Sequence, residues 1–185
     1  MILAASLDTE TTGFCEPDHR LVEVYIDLID LATRKTVFTY EKRINPKRNM
    51  PAEAQRVHGI SINDVMNEPD WEQTGPIVHK ILSKASIAVA HNAEFDRDFL
   101  NMEFKRIGLP ALSMPFFCTM ENGIWATPTG KKPSLLELCY ACEVPYDPSL
   151  AHAANYDVQR MNDCLFKGLD WGFYELPALG AQVAA

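Results

Sequence analysis

The chain contains no apolar run that approaches membrane-spanning length, which sets aside a helical membrane anchor. No basic segment precedes the apolar opening residues, so a secretory signal is not expected. Cysteine is sparse, and the five residues (Cys15, Cys118, Cys139, Cys142, Cys164) are odd in number and scattered. That excludes a disulfide framework and predicts reduced thiols in a cytoplasmic protein. Internal repeats, linkers and low-complexity tracts are absent. Basic residues are in deficit, 17 against 25 acidic ones, for a net charge of −8. This argues against a broad basic footprint on duplex nucleic acid. A small site built around bound cations stays open, because the ions supply positive charge that the residue count omits.

What is present fits one globular domain: 185 residues, 47% apolar and 23% charged. Met1 to Ala5 are all apolar and predict a buried strand that leads into Ser6-Leu7-Asp8-Thr9-Glu10-Thr11-Thr12-Gly13. On an extended strand residues i and i+2 share a face, so Asp8 and Glu10 point the same way where the strand gives out into a turn. Two adjacent carboxylates raise each other's pKa unless positive charge lies between them. The pair reads either as oxygen ligands for a hard divalent cation or as a solvated strand end, and this stretch alone leaves both open.

Further along, 22–30 alternates as a second strand, 33–35 turns, and 36–40 starts a third strand antiparallel to it. Pro51 opens a short helix over 52–57 that stops at His58-Gly59, and Ser61 or Asn63 caps another turn. Residues 70–84 read as a helix with Trp71, Ile77, Ile81 and Leu82 at helical spacing. A strand at 86–90 precedes an amphipathic helix over 94–108 with Phe95, Phe99, Leu100, Met102 and Phe104 inward and Gly108 at its end. Phe116 to Cys118 form a buried strand. Residues 120–125 and 134–142 read as helical, the latter placing Cys139-x-x-Cys142 on a core face rather than at a metal. The last helix spans about 155–169, and an apolar tail follows over 170–185. A three-strand meander followed by strands alternating with helices predicts an α/β fold with a mixed sheet flanked by helices.

Two other stretches could hold chemistry. His91-Asn92-Ala93-Glu94-Phe95-Asp96 follows a strand and opens a helix, which puts Asp96 where ligand sites of open α/β sheets gather. The simpler alternative is an acid favouring the positive end of the helix. His152 and Asp157 sit together at the start of the last helix, where a lone His and Asp are more often surface or capping residues than catalysts.

Taken as an ordered set, Asp8-Thr9-Glu10-Thr11-Thr12-Gly13, His58-Gly59-Ile60, His91-Asn92-Ala93-Glu94-Phe95-Asp96 and His152-x4-Asp157 resemble the DnaQ-like 3′–5′ exonucleases, in the DEDDh subgroup marked by four acids and a histidine. The resemblance covers roughly residues 1–167. It implies an RNase H-like fold with a five-stranded mixed sheet, a nuclease domain over 1–169, and two divalent cations, Mg2+ with Mn2+ as a substitute. It implies Asp8, Glu10, Asp96 and Asp157 as metal ligands and His152 as general base. The sister subgroup carries a tyrosine four residues before the last aspartate. Ala153 holds that position here, so the histidine type is the better match. Thr11, Thr12, Gly13, Phe14, Val57, His58, Asn92 and Phe95 match positions that line the groove for the terminal nucleotide. Asn155 departs from the apolar residue usual in the last motif.

The chemistry accounts for these residue types. A phosphodiester is anionic and resists attack, and paired cations stabilise both the entering and leaving oxygens. A neutral imidazole accepts the proton of the attacking water. Phe14 and Phe95 could stack on unpaired bases, with core packing as the alternative for each. The function expected is therefore a metal-dependent 3′–5′ exonuclease on single-stranded or frayed 3′ ends, DNA favoured over RNA, releasing nucleoside monophosphates. An exoribonuclease trimming short RNA oligomers and a non-catalytic, polymerase-associated binding domain are the alternatives. A polymerase or another replication or repair protein is the partner the resemblance implies.

Overall fold

The computed structural model describes residues 1–179. The first strand, β1 (Leu3–Thr11), is central and buried, and it divides its residues between two cores. Ala5 and Leu7 face one layer of helices, while Ala4 faces the other, as the period-two pattern requires. β2 (Leu21–Asp30) pairs antiparallel with β1, and β3 (Lys35–Arg43) pairs antiparallel with β2, Glu10 lying opposite Glu23 and Glu23 opposite Arg43. β4 (Ile87–Ala90) and β5 (Phe116–Cys118) add in parallel on the other side. The order β3-β2-β1-β4-β5 is the five-stranded mixed sheet of the RNase H-like fold.

Among the described residues six α-helices flank the sheet. α1 (Ala52–His58) and α2 (Ile62–Val65) are short, and α2 begins at a capping box between Ser61 and Asp64. α3 (Trp71–Leu82) starts at Asp70, whose side chain accepts from Gln73 N at 3.3 Å. Trp71, Thr74, Gly75, Val78, Ile81 and Leu82 form its buried face. Ile77, expected inward, is half exposed, because the 71-74-78-81 stripe turns it to solvent and buries Val78 in its place. α4 (Ala93–Arg106) buries Phe99, Leu100 and Phe104, with Phe95 and Met102 partly buried beside them. Leu109 N–H closes its end on Phe104 O at 2.9 Å, as Gly108 takes a left-handed φ of +74°.

The expected helix over 120–125 is a correction. Turns follow Cys118, and a single 3-10 turn spans Ile124–Ala126. Asn122 spends its side-chain amide on Cys118 O, and Thr127 Oγ1 bonds Lys131 O, so local side-chain bonds compete with a helical ladder. α5 (Leu135–Ala141) is capped by Ser134 and buries Cys139. Its end, Cys142, is buried too, and both cysteines pack in the second core rather than at a metal. Among the described residues all five cysteines are free.

α6 (Ala154–Asp170) covers β1 and β2. Beyond it the tail returns to the domain as far as it is described. Phe173 stacks on Trp125 at 4.5 Å, and Tyr174 is buried with its hydroxyl donating to Thr119 O at 2.8 Å. A Cβ on Gly168 would lie 2.3 Å from the Tyr174 ring, so the close approach requires glycine. Residues 180–185 of the expected tail lie outside the described residues. No helix among the described residues is long and apolar enough to cross a membrane.

Candidate active site

Three elements converge at the carboxyl end of β1. β1 contributes Asp8 and Glu10 on the face covered by α6. α4 contributes Asp96 from its first turn, and α6 contributes Asp157 from its own. Glu10 and Asp96 are almost wholly buried, while Asp8 and Asp157 keep partial solvent contact. Thus the carboxyl ends of strands and the amino ends of helices gather acids that lie up to 149 positions apart in the chain.

The electrostatics follow from that crowding. Burial, then the charges of Asp96, Glu10 and Asp157, push the Asp8 carboxyl well above the usual carboxylate range. Glu10 is pushed up to about 8 by burial, then by Glu23, Asp157 and Asp96. Burial lifts Asp96 to about 7, although hydrogen bonds from Thr9 oppose it. Asp157 is raised by burial and eased by the His152 N–H. Four acids are therefore held together against their own repulsion.

Asp96 and Asp157 have hydrogen-bond partners. Thr9, on the opposite face of β1, donates its hydroxyl to Asp96 Oδ1 at 2.8 Å. Asp157 Oδ2 accepts from His152 N at 3.0 Å, and Tyr146 donates its hydroxyl to Oδ1 at 3.4 Å. As these side chains stand, no three His, Cys, Asp or Glu groups among the described residues are arranged to hold a metal ion. The donor set itself suits a hard divalent cation, being all carboxylate oxygen with an unbalanced negative charge.

His152 is exposed and holds a left-handed φ of +64°, uncommon for a residue with a side chain. The same backbone region is taken by Asn92, with φ of +82°, at the head of α4. Two such residues beside one acid cluster mark a place where backbone strain is tolerated. The His152 ring lies within electrostatic range of Asp157 and His58.

The groove candidates separate into groups. Phe14 is 81% exposed and unpacked, which removes core packing as its explanation. Val57 and Asn92 are exposed as well. Phe95 packs partly on the core, 5.6 Å from Phe99. Thr12 is wholly buried, its hydroxyl bonded to His19 Nδ1 at 3.1 Å and to Arg20 N at 3.0 Å, so its side chain is closed off from the groove. Thr11 bonds the backbone of Gly13. A Cβ on Gly13 would fall 2.2 Å from the His19 ring, which explains glycine there. His58 Nδ1 accepts from Ile60 N at 3.0 Å, so Nε2 carries the proton and donates to Thr11 O at 3.2 Å. Burial holds its pKa down in keeping with that neutral ring.

Thr9, Tyr146 and Glu23 escaped the sequence reading. Glu23 is buried opposite Glu10 and reaches Arg43 Nε at 3.1 Å. Only strand register reveals that row; Thr9 could have been found as the residue between the two acids.

An acid cluster at the strand ends of an RNase H-like sheet defines a metal-dependent nuclease type of site. The RNase_T family model, described as exonuclease, matches residues 6–163. The chain belongs to this family, the DnaQ-like 3′–5′ exonucleases, whose members depend on divalent metal. It is 31% identical over 164 residues to the PolC-type DNA polymerase III of Streptococcus sanguinis (strain SK36), covering 86% of this chain and 10% of that protein. It is 38% identical over 100 residues to the DNA polymerase III subunit epsilon of Rickettsia prowazekii (strain Madrid E), covering 52% of this chain and 42% of the subunit. The chain thus spans about a tenth of the PolC-type relatives. Exonuclease X bound to a duplex with a 5′ overhang shares the fold with a TM-score of 0.69 at 24% identity, over 93% of this chain and 94% of that one. E. coli exonuclease I bound to dT13 does so with a TM-score of 0.77 at 15% identity, over 92% and 41%.

Proposed function

We propose that this chain is a metal-dependent 3′–5′ exonuclease that removes nucleoside monophosphates from single-stranded or frayed 3′ ends, DNA in preference to RNA. The observation that carries the reading is the convergence of Asp8, Glu10, Asp96 and Asp157 at the end of β1. A scaffold has no physical use for four crowded acids, two of them almost wholly buried. Asp8, Glu10, Asp96 and Asp157 would hold two divalent cations, Mg2+ with Mn2+ as a substitute, which supply charge neutralisation at the scissile phosphate. His152 takes the proton of the attacking water, and its own N–H orients Asp157. His58 ties the end of α1 to the Thr11 carbonyl and so sets one wall of the groove. Phe14 offers an aromatic face to an unpaired base.

The family match supports the direction of attack, and exonuclease I bound to dT13 supports a single-stranded end. Free cysteines favour a cytoplasmic setting. The similarity to polymerase III proteins favours a second reading of partnership, in which the domain proofreads beside a polymerase. Matched, labelled DNA and RNA oligomers incubated with Mg2+, and again with EDTA, test the proposal. Stepwise 3′ shortening of DNA that EDTA stops is expected. No shortening of either oligomer would overturn it.

A further inference from the structure

The segment 13–19, between β1 and β2, carries Phe14 and has almost no apolar packing of its own. Phe14, Cys15, Glu16, Pro17 and Asp18 are all exposed. A loop of that kind is ordinarily among the least stable parts of a domain. Here it is pinned from outside by three guanidinium groups. Arg20 Nη1 donates to Pro17 O and to His19 O, both at 2.9 Å. Arg106, at the end of α4, donates from Nη1 to His19 O at 3.0 Å and from Nη2 to Pro17 O. Arg48, from the loop after β3, donates to Asp18 O. Three successive carbonyls are thus taken by arginines from three parts of the chain.

Arg106 is itself held. Glu103, one turn earlier on α4 and 1% exposed, accepts from its Nη1 at 2.6 Å. Glu103 has no part in the acid cluster, and an acid so buried needs a cationic partner. The guanidinium groups have spent these donors on carbonyls and carboxylate, so they form a brace rather than an open anion cradle. In a chain of net charge −8 that also explains why arginines gather here without making a basic surface.

We infer that Arg106, set by Glu103 and joined by Arg20 and Arg48, is a positioning residue that holds segment 13–19 so that Phe14 stands ready for the base of an unpaired 3′ end. The inference rests on the exonuclease reading for its substrate. α4 carries Asp96 in its first turn and Arg106 in its last, so one rigid helix sets both the acid cluster and the loop. Phe14, with no packing of its own, depends on that brace for its orientation.

The test is Arg106→Met, Phe14→Ala and their combination, assayed on a dT oligomer with Mg2+, together with amide hydrogen exchange over 13–19. Arg106→Met should speed exchange in the segment about tenfold or more relative to the sheet. It should raise KM between about fivefold and about 150-fold, the range of one lost base stack, with kcat within about twofold. Phe14→Ala should raise KM alike, and the double variant should be no worse than either single one, since both remove the same contact. Arg106→Lys keeps a cation beside Glu103 yet cannot fork to two carbonyls, so a raised KM at unchanged Tm is expected even if Arg106→Met folds poorly. Unchanged exchange in the segment, KM effects that multiply, or a loss confined to kcat would overturn the inference. If the unaltered protein shortens no oligomer, the exonuclease reading fails, while the exchange experiment still decides the brace.

Discussion

Replacing Glu10 with Gln should stabilise the protein at alkaline pH in EDTA while abolishing hydrolysis. Glu10 is 8% exposed, and its carboxyl is raised from 4.5 to about 8, while Asp96 is raised to about 7. An acid raised in this way binds its proton more tightly in the native state than in the unfolded chain. As pH climbs past the ordinary value, the unfolded chain releases its proton first, and stability falls until the folded value is passed. His91, lowered from 6.5 to about 4 by burial, works in the opposite sense, because below about 6.5 the unfolded chain takes up the proton first. The window that isolates the acids therefore runs from about pH 6.5 to about pH 8.

Integrating the linkage for groups at about 7 and about 8 gives a loss of about 2 kcal/mol across that window, to which the raised Asp8 adds in the same sense. For a chain of this length that is roughly 4–8 °C in Tm. The Glu10→Gln protein should keep only the share of the other raised acids and fall less steeply. Thermal and urea unfolding in EDTA at both ends of the window read the two slopes. Saturating Mg2+ should remove the fall in the unaltered protein, since bound cations favour ionised carboxylates. Stability that rises across the window, or a Glu10→Gln slope equal to that of the unaltered protein, would refute the reasoning.

Three further outcomes are expected. His152→Gly keeps the left-handed backbone and the N–H to Asp157 but removes the imidazole, so single-turnover rates on a single-stranded oligomer should fall ~10²–10⁴-fold and recover in part at alkaline pH, with the Mg2+-induced rise in Tm intact; a full rate would remove His152 as the base. Tyr174→Ala should cost about 3–5 kcal/mol in urea unfolding, because it uncovers Gly168, Phe117 and Trp125, and a loss below about 1 kcal/mol would show that the tail is not part of the second core. Fluorescence anisotropy should find weak binding to blunt duplex, since two divalent cations offset only half of a net charge of −8 and the exposed Lys131 and Lys132 are already paired with Glu137 and Glu121; tight duplex binding in EDTA would contradict this.

Much of this architecture was legible from spacing alone. Period two in β1 put Asp8 and Glu10 on one face, and the helices read over 70–84 and 134–142 are found as α3 and α5. The ordered motifs carried the family as well. Spacing failed where two patterns competed, as when Ile77 was favoured over Val78, and where side chains bonded their own backbone, as around Asn122 and Thr127. It was silent on groups joined only by strand register or by helix ends. Glu23 beside Glu10, Thr9 under Asp96, Tyr146 on Asp157 and Arg106 against Pro17 and His19 all belong there. Local periodicity follows from the geometry of a single helix or strand, so the chain itself records it. Which buried charges meet depends on how the crossovers bring α4 and α6 to the end of β1, and only the packed sheet decided that.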